Sequence, residues 1–109
     1  MSSYGFTEND WKLYRSKIGS WQEKYMERLC REYIEMLRSD TAPSERFWSL
    51  RNRIKEDRKS PGVMVRIARS EMIHNIMCLL FDSVITLDDL DGFSDDLKEH
   101  IVFIMKNHL

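Results

Sequence analysis

An all-α fold, a compact helical bundle of about five helices in one domain, is what this sequence predicts, on three observations. Apolar residues recur at helical spacing through most of the chain. The helix-breaking residues Gly19, Pro43, Pro61 and Gly92 fall where amphipathic runs end. Ser or Thr residues able to cap a helix stand ahead of those runs, and no stretch shows the alternation of a strand.

The first predicted helix runs from about Glu8 to Ile18, with Thr7 as N-cap and Asp10 three residues on. Trp11, Tyr14 and Ile18 share one face, and Gly19 is expected to end it. A second helix should start at Ser20-Trp21-Gln22-Glu23, which has the pattern of a capping box, and reach about Arg38. Trp21, Tyr25, Leu29, Tyr33 and Leu37 form its stripe. The third spans about Ser44 to Arg58 behind Pro43, with Phe47, Leu50 and Ile54 as its apolar side. The fourth, the most apolar, is expected from about Pro61 to Phe81, with Val65, Ala68, Met72, Ile76 and Leu79 inward. Thr86-Leu87-Asp88-Asp89 opens a turn that Asp91-Gly92 stops. Ser94 caps the last helix, which carries Asp95 and Asp96 where the helix dipole favours negative charge. Phe93, Leu97, Ile101, Ile104 and Met105 are its buried side. Leu29, Ile76 and Ile101 are expected to meet in one core.

A chain of 109 residues is one domain, long enough to bury roughly 65% of its unfolded surface without a metal or disulfide. No apolar run approaches the ~20 residues of a membrane span. The residues 1–8 lack the basic and apolar regions of a secretory signal, so a cytoplasmic location is expected. Cys30 and Cys78, each inside an apolar segment, read as reduced thiols behaving as small hydrophobes, with a disulfide between them the less favoured reading. The net charge of −1 hides an asymmetry. Residues 44–69 carry eight basic against three acidic side chains, net +5. Residues 82–99 carry seven acidic side chains against Lys98 alone, net −6. Such segments can neutralise each other on folding, pair with a second copy, or present two faces to partners.

Few motifs invite a chemistry. With Gly92 at the sixth position of a calcium loop, Leu87 and Lys98 occupy the first and twelfth, where carboxylates are needed. A helix-turn-helix at 86–105 would open its recognition helix on Asp95 and Asp96, which phosphate repels. His74 and Cys78 share a helix face, but two ligands are too few for zinc, and His100 and His108 lie on another helix. Nucleophile elbow, Walker loop and dinucleotide fingerprint are all lacking. The sequence therefore predicts no enzyme, no cofactor and no metal site.

One surface stands out. On a helical wheel with Phe47 at zero, Trp48 falls near ~100°, beside the apolar stripe, with Arg51, Lys55 and Lys59 at about 40°, 80° and 120°. A Trp among three cations can anchor a protein interface or stack on nucleic-acid bases. The opposing expectation, the favoured one for a small bundle, turns Trp48 into the core and leaves the cations as a solvated rim.

Trp21-Gln22-Glu23, Tyr25-Met26, Glu32-Tyr33-Ile34, Pro43-Ser44, Phe47-Trp48, Leu50 and Gly62-Val63 together resemble a family of small helical proteins of clostridial Gram-positive gut anaerobes. Its members lack an assigned function or are labelled transporters. The resemblance covers most of the chain and implies a helical fold in the bacterial cytoplasm. A transporter label would require membrane spans that this sequence lacks. The expected function is a regulatory protein–protein interaction module, with self-association as one option for its partner and Trp48, Arg51, Lys55 and Lys59 binding it. The alternative is a nucleic-acid binder using the same basic helix.

Overall fold

The computed structural model describes residues 5–107, so the expectations placed on residues 1–4 and on His108 lie outside the described residues. The Thr7 hydroxyl accepts from the Asp10 N–H at 3.1 Å, and the Asp10 carboxylate accepts from the Thr7 N–H at 2.9 Å. This capping box opens α1, which then runs unbroken from Glu8 to Leu37. The two helices expected on either side of Gly19 are therefore one, about 45 Å long at 1.5 Å per residue. Trp11, Tyr14, Ile18 and Trp21 keep one helical phase across Gly19, and all four are buried. Burying that continuous stripe outweighs the ~1 kcal/mol cost of a glycine inside a helix. Ser20 lies within α1, so the capping box expected there does not form.

Gly19 itself is exposed, and a Cβ added there meets nothing within 4 Å. Gly19→Ala should therefore raise the unfolding free energy by about 0.5–1 kcal/mol. Chemical denaturation would show this as a higher midpoint at unchanged slope; a lower midpoint would mean that the helix is interrupted there.

Pro43 occupies the first turn of α2, Pro43–Asp57, which folds back against the distal half of α1. The chain then departs from the helix expected after Pro61. Ser60 accepts from the N–H groups of Val63 and Met64 through its carbonyl, and from Gly62 N–H through its hydroxyl at 3.1 Å. Residues 64–68 carry no helix, and a 3-10 turn, Arg69–Glu71, leads into α3, Met72–Phe81. Gly62 decides this path. A Cβ there would strike the Tyr25 ring and lie 2.7 Å from Val84 Cγ2, so only glycine lets the backbone pass.

α3 ends with Ser83 at φ +59°, its N–H donating to Leu80 O and the Val84 N–H to Leu79 O at 2.8 Å. Thr86 and Asp89 form a second capping box on the 3-10 turn Leu87–Leu90, and Ser94 caps α4, Asp95–Asn107, as expected. The four α-helices and two 3-10 turns correct the expected five; among the described residues there is no strand.

The core joins the proximal half of α1 to α3, α4 and the segment between them. Trp11, Tyr14, Ile18 and Trp21 meet Met72, Ile76 and Leu79, Ile85 and Leu90, and Phe93, Leu97 and Ile101. Ring centroids of Tyr14 and Trp21 lie 6.4 Å apart, and those of Trp21 and Phe93 6.3 Å. Asn75 Nδ2, buried, donates to Tyr14 Oη at 3.3 Å and to the Arg66 carbonyl at 3.1 Å. Leu29 is buried too, yet it lies outside this cluster, so the three residues expected to meet do not all do so. The distal end of α1 extends beyond this core and packs against α2, and the molecule has extents of 58 × 29 × 22 Å.

Candidate interaction surface on α2

The side of α2 turned toward α1 is polar. Tyr33 Oη donates to Asp57 Oδ2 at 2.5 Å. Arg53 bridges Glu32 at 2.7 Å and Asp57 at 3.0 Å, with its guanidinium 5.7 Å from the Tyr33 ring centroid. Arg46 Nη1 donates to the Leu37 carbonyl at 2.8 Å, satisfying one of the free carbonyls at the end of α1. Burial, with the hydrogen bond to Asp57 and its charge adding, holds the Tyr33 hydroxyl well above its ordinary pKa. The phenol therefore stays a donor throughout the physiological range. Hydrogen bonds to Glu32 and Asp57 likewise raise the pKa of Arg53.

These groups share the inward side with half-buried Leu50, and the rest of the apolar stripe, Phe47 and Ile54, is left exposed. Phe47 is 63% exposed, Trp48 57% and Ile54 39%, and α2 has no buried residue at all. This corrects two expectations: Phe47, Leu50 and Ile54 do not face a core, and Trp48 is not turned inward. The Phe47 and Trp48 rings meet edge to face with centroids 5.0 Å apart. Below them Phe47, Leu50, Arg51, Ile54, Lys55 and Arg58 line a shallow open groove of about 460 Å³.

Of the four residues singled out in the sequence, Trp48, Arg51 and Lys55 lie on α2 and are exposed. Lys59 follows the end of the helix, and its ammonium pairs with Glu56 at 3.1 Å. Arg58, at the C-cap, joins the groove instead. Its wheel angle near ~20° lies beside Phe47 and marks it in retrospect.

Elsewhere, Cys78 Sγ lies 3.5 Å from His74 Nε2, and burial raises the Cys78 pKa, with Asp82 adding. Such a thiol is a poor nucleophile at neutral pH. Both cysteines are free, and Cys30 is exposed, contrary to the expectation of a buried thiol. Among the described residues no three His, Cys, Asp or Glu side chains converge as a metal site would need, and no helix is long and apolar enough to cross a membrane. No family model, curated protein or solved structure matches the chain.

Proposed function

We propose that this protein is a small, non-enzymatic helical binding module, regulatory and cytoplasmic, that docks a protein partner on α2. The observation that supports this reading is the orientation of α2, held to α1 by Tyr33, Arg53 and Arg46 while Phe47, Trp48 and Ile54 stay exposed. An aromatic pair with aliphatic neighbours offers an anchor of the kind that dominates binding energy at protein interfaces. Arg51, Lys55 and Arg58 make no ion pair among the described residues, so they favour an acidic partner and orient it. Nucleic acid is the second reading, on the exposure of Trp48 beside those cations. The aliphatic groove favours protein over phosphate.

The test is an NMR titration of the full chain with a synthetic helical peptide bearing Leu and Phe on one face and Glu on the other. The Trp48 indole resonance and α2 amides should shift. Arg51→Glu combined with Lys55→Glu should abolish the shift while changing folding stability by less than about 0.5 kcal/mol, since both side chains are solvated. Peptide binding unchanged in the double variant would leave this face a solvated rim. Binding only to a single-stranded oligonucleotide, with log-linear loss in salt, would make α2 a nucleic-acid surface.

A further inference from the structure

The two oppositely charged segments do not neutralise each other within the molecule. Every ion pair among the described residues joins side chains between Glu8 and Arg69. Asp82, Asp88, Asp91, Asp95 and Asp96 are exposed and make no ion pair among the described residues. This acidic region also displays apolar side chains. Phe81, at the end of α3, is 53% exposed and Leu87, opening the next turn, is 48% exposed. Both stand next to an exposed aspartate in the chain, Asp82 and Asp88. The fold holds them there, because the Ser83 turn and the Thr86–Asp89 capping box fix the backbone from Phe81 to Asp91. One molecule thus carries an apolar groove lined also by Arg51, Lys55 and Arg58, and a segment, 81–96, in which exposed Phe81 and Leu87 stand among exposed aspartates in the chain.

Resting on the docking reading of α2, we infer that the partner is a second copy of this chain: the α2 surface of one molecule binds the Phe81–Asp96 surface of another. Phe47, Trp48 and Ile54 then cover Phe81 and Leu87, while the cations of α2 meet the aspartates. Removal of the apolar side chains from water supplies the affinity, and the charges set the register. A contact between two unlike surfaces either closes reciprocally into a two-fold pair or propagates head to tail. In both cases the mass of the assembly rises with concentration.

Sedimentation velocity of the full chain, across concentration and at low and high salt, reads this directly. Association should be concentration-dependent and weaken as salt screens the charges. Lys55→Glu with Arg58→Glu on one surface, or Asp88→Lys with Asp91→Lys on the other, should each weaken self-association about tenfold or more. Mixing the two double variants should restore a complex, since the reversed charges complement each other. Far-ultraviolet circular dichroism of each variant guards against misfolding, and Phe81→Ser with Leu87→Ser removes the apolar half without altering charge. A chain that is monomeric throughout, or that associates equally well with either surface reversed, overturns the inference. If that monomer still shifts its Trp48 resonance with the acidic peptide, the docking reading stands and only the second copy is lost. If it does neither, both fall. Binding of the wild-type monomer to vesicles of anionic lipid would assign the α2 surface to a membrane face instead.

Discussion

Ile76→Ala should lower the unfolding free energy by about 2–5 kcal/mol, the range for truncating a fully buried aliphatic side chain. Ile76 sits at the middle of α3 with no exposed surface, in the cluster that joins α1, α3 and α4. Its loss removes the transfer free energy of three carbon groups and leaves a void in a buried cluster that can close only if its other members shift. A small domain has only about 5–15 kcal/mol of stability, so the change is a large fraction of the whole. Urea denaturation should place the midpoint well below that of the parent at similar slope. A difference under about 0.5 kcal/mol would show that α3 is peripheral. By contrast, Phe47→Ala should leave the midpoint nearly unchanged, because Phe47 is 63% exposed and covers no core.

Much of this architecture is legible in the sequence because it is determined locally. Thr7 with Asp10, Thr86 with Asp89, and Ser94 each reach a backbone N–H within three residues, so their caps can be read from spacing alone. The stripe of α4 is similarly local, and Leu97 and Ile101 are fully buried as expected. Gly19 and Ser20-Trp21-Gln22-Glu23 mislead because each is a local signal overruled by a longer one. The phase of Trp11, Tyr14, Ile18 and Trp21 runs straight through them, and that phase was the readable sign of a single helix.

What the sequence hides depends on residues far apart in the chain. Gly62 falls inside the helix expected from Pro61 to Phe81, because its reason for being glycine lies in Tyr25, on α1, and Val84, beyond α3. The outward turn of α2 is hidden in the same way. Its amphipathic pattern is plain, but a pattern gives the angular position of the apolar side and not what lies opposite it. Tyr33 to Asp57 and Glu32 to Arg53, pairs separated by 24 and 21 residues, settle that α2 meets α1 through its polar side. The candidate surface was therefore half legible. Trp48, Arg51 and Lys55 could be grouped from the wheel, whereas their exposure followed only from a polar contact between helices.

Asp10→Asn should cost about 2–4 kcal/mol and flatten the acid limb of the stability curve, because one carboxylate serves two helix starts. Asp10 Oδ2 accepts from Thr7 N–H at 2.9 Å at the start of α1 and from the Ser94 hydroxyl at 2.6 Å. Asp10 Oδ1 accepts from Ser94 N–H at 2.7 Å at the start of α4. The Ser94 hydroxyl accepts in turn from Leu97 N–H at 3.1 Å. In α4 the position that closes a capping box is Leu97, a core residue with no acceptor, and Asp10 supplies the missing carboxylate from 84 residues upstream. Asparagine keeps the shape but replaces one accepting oxygen by a donor, which faces donors at either oxygen position. Burial opposes ionisation of Asp10, but the hydrogen bonds from Ser94 and Thr7 together outweigh it and hold its pKa below the ordinary value. The sign follows: a carboxylate with a depressed folded pKa contributes stability that is fully present above the unfolded value near ~4 and is lost as pH falls through the folded one. Stability of the parent should therefore be flat with respect to this group near neutrality and decline below about pH 4. In the Asn variant the midpoint should start lower, and the decline below pH 4 should be shallower by the contribution of this one group. Urea midpoints between about pH 2.5 and pH 7 give both readings at once. Equal acid slopes for parent and variant would show that Asp10 is not held ionised by these bonds. A variant as stable as the parent at neutral pH would show that α1 and α4 are capped independently.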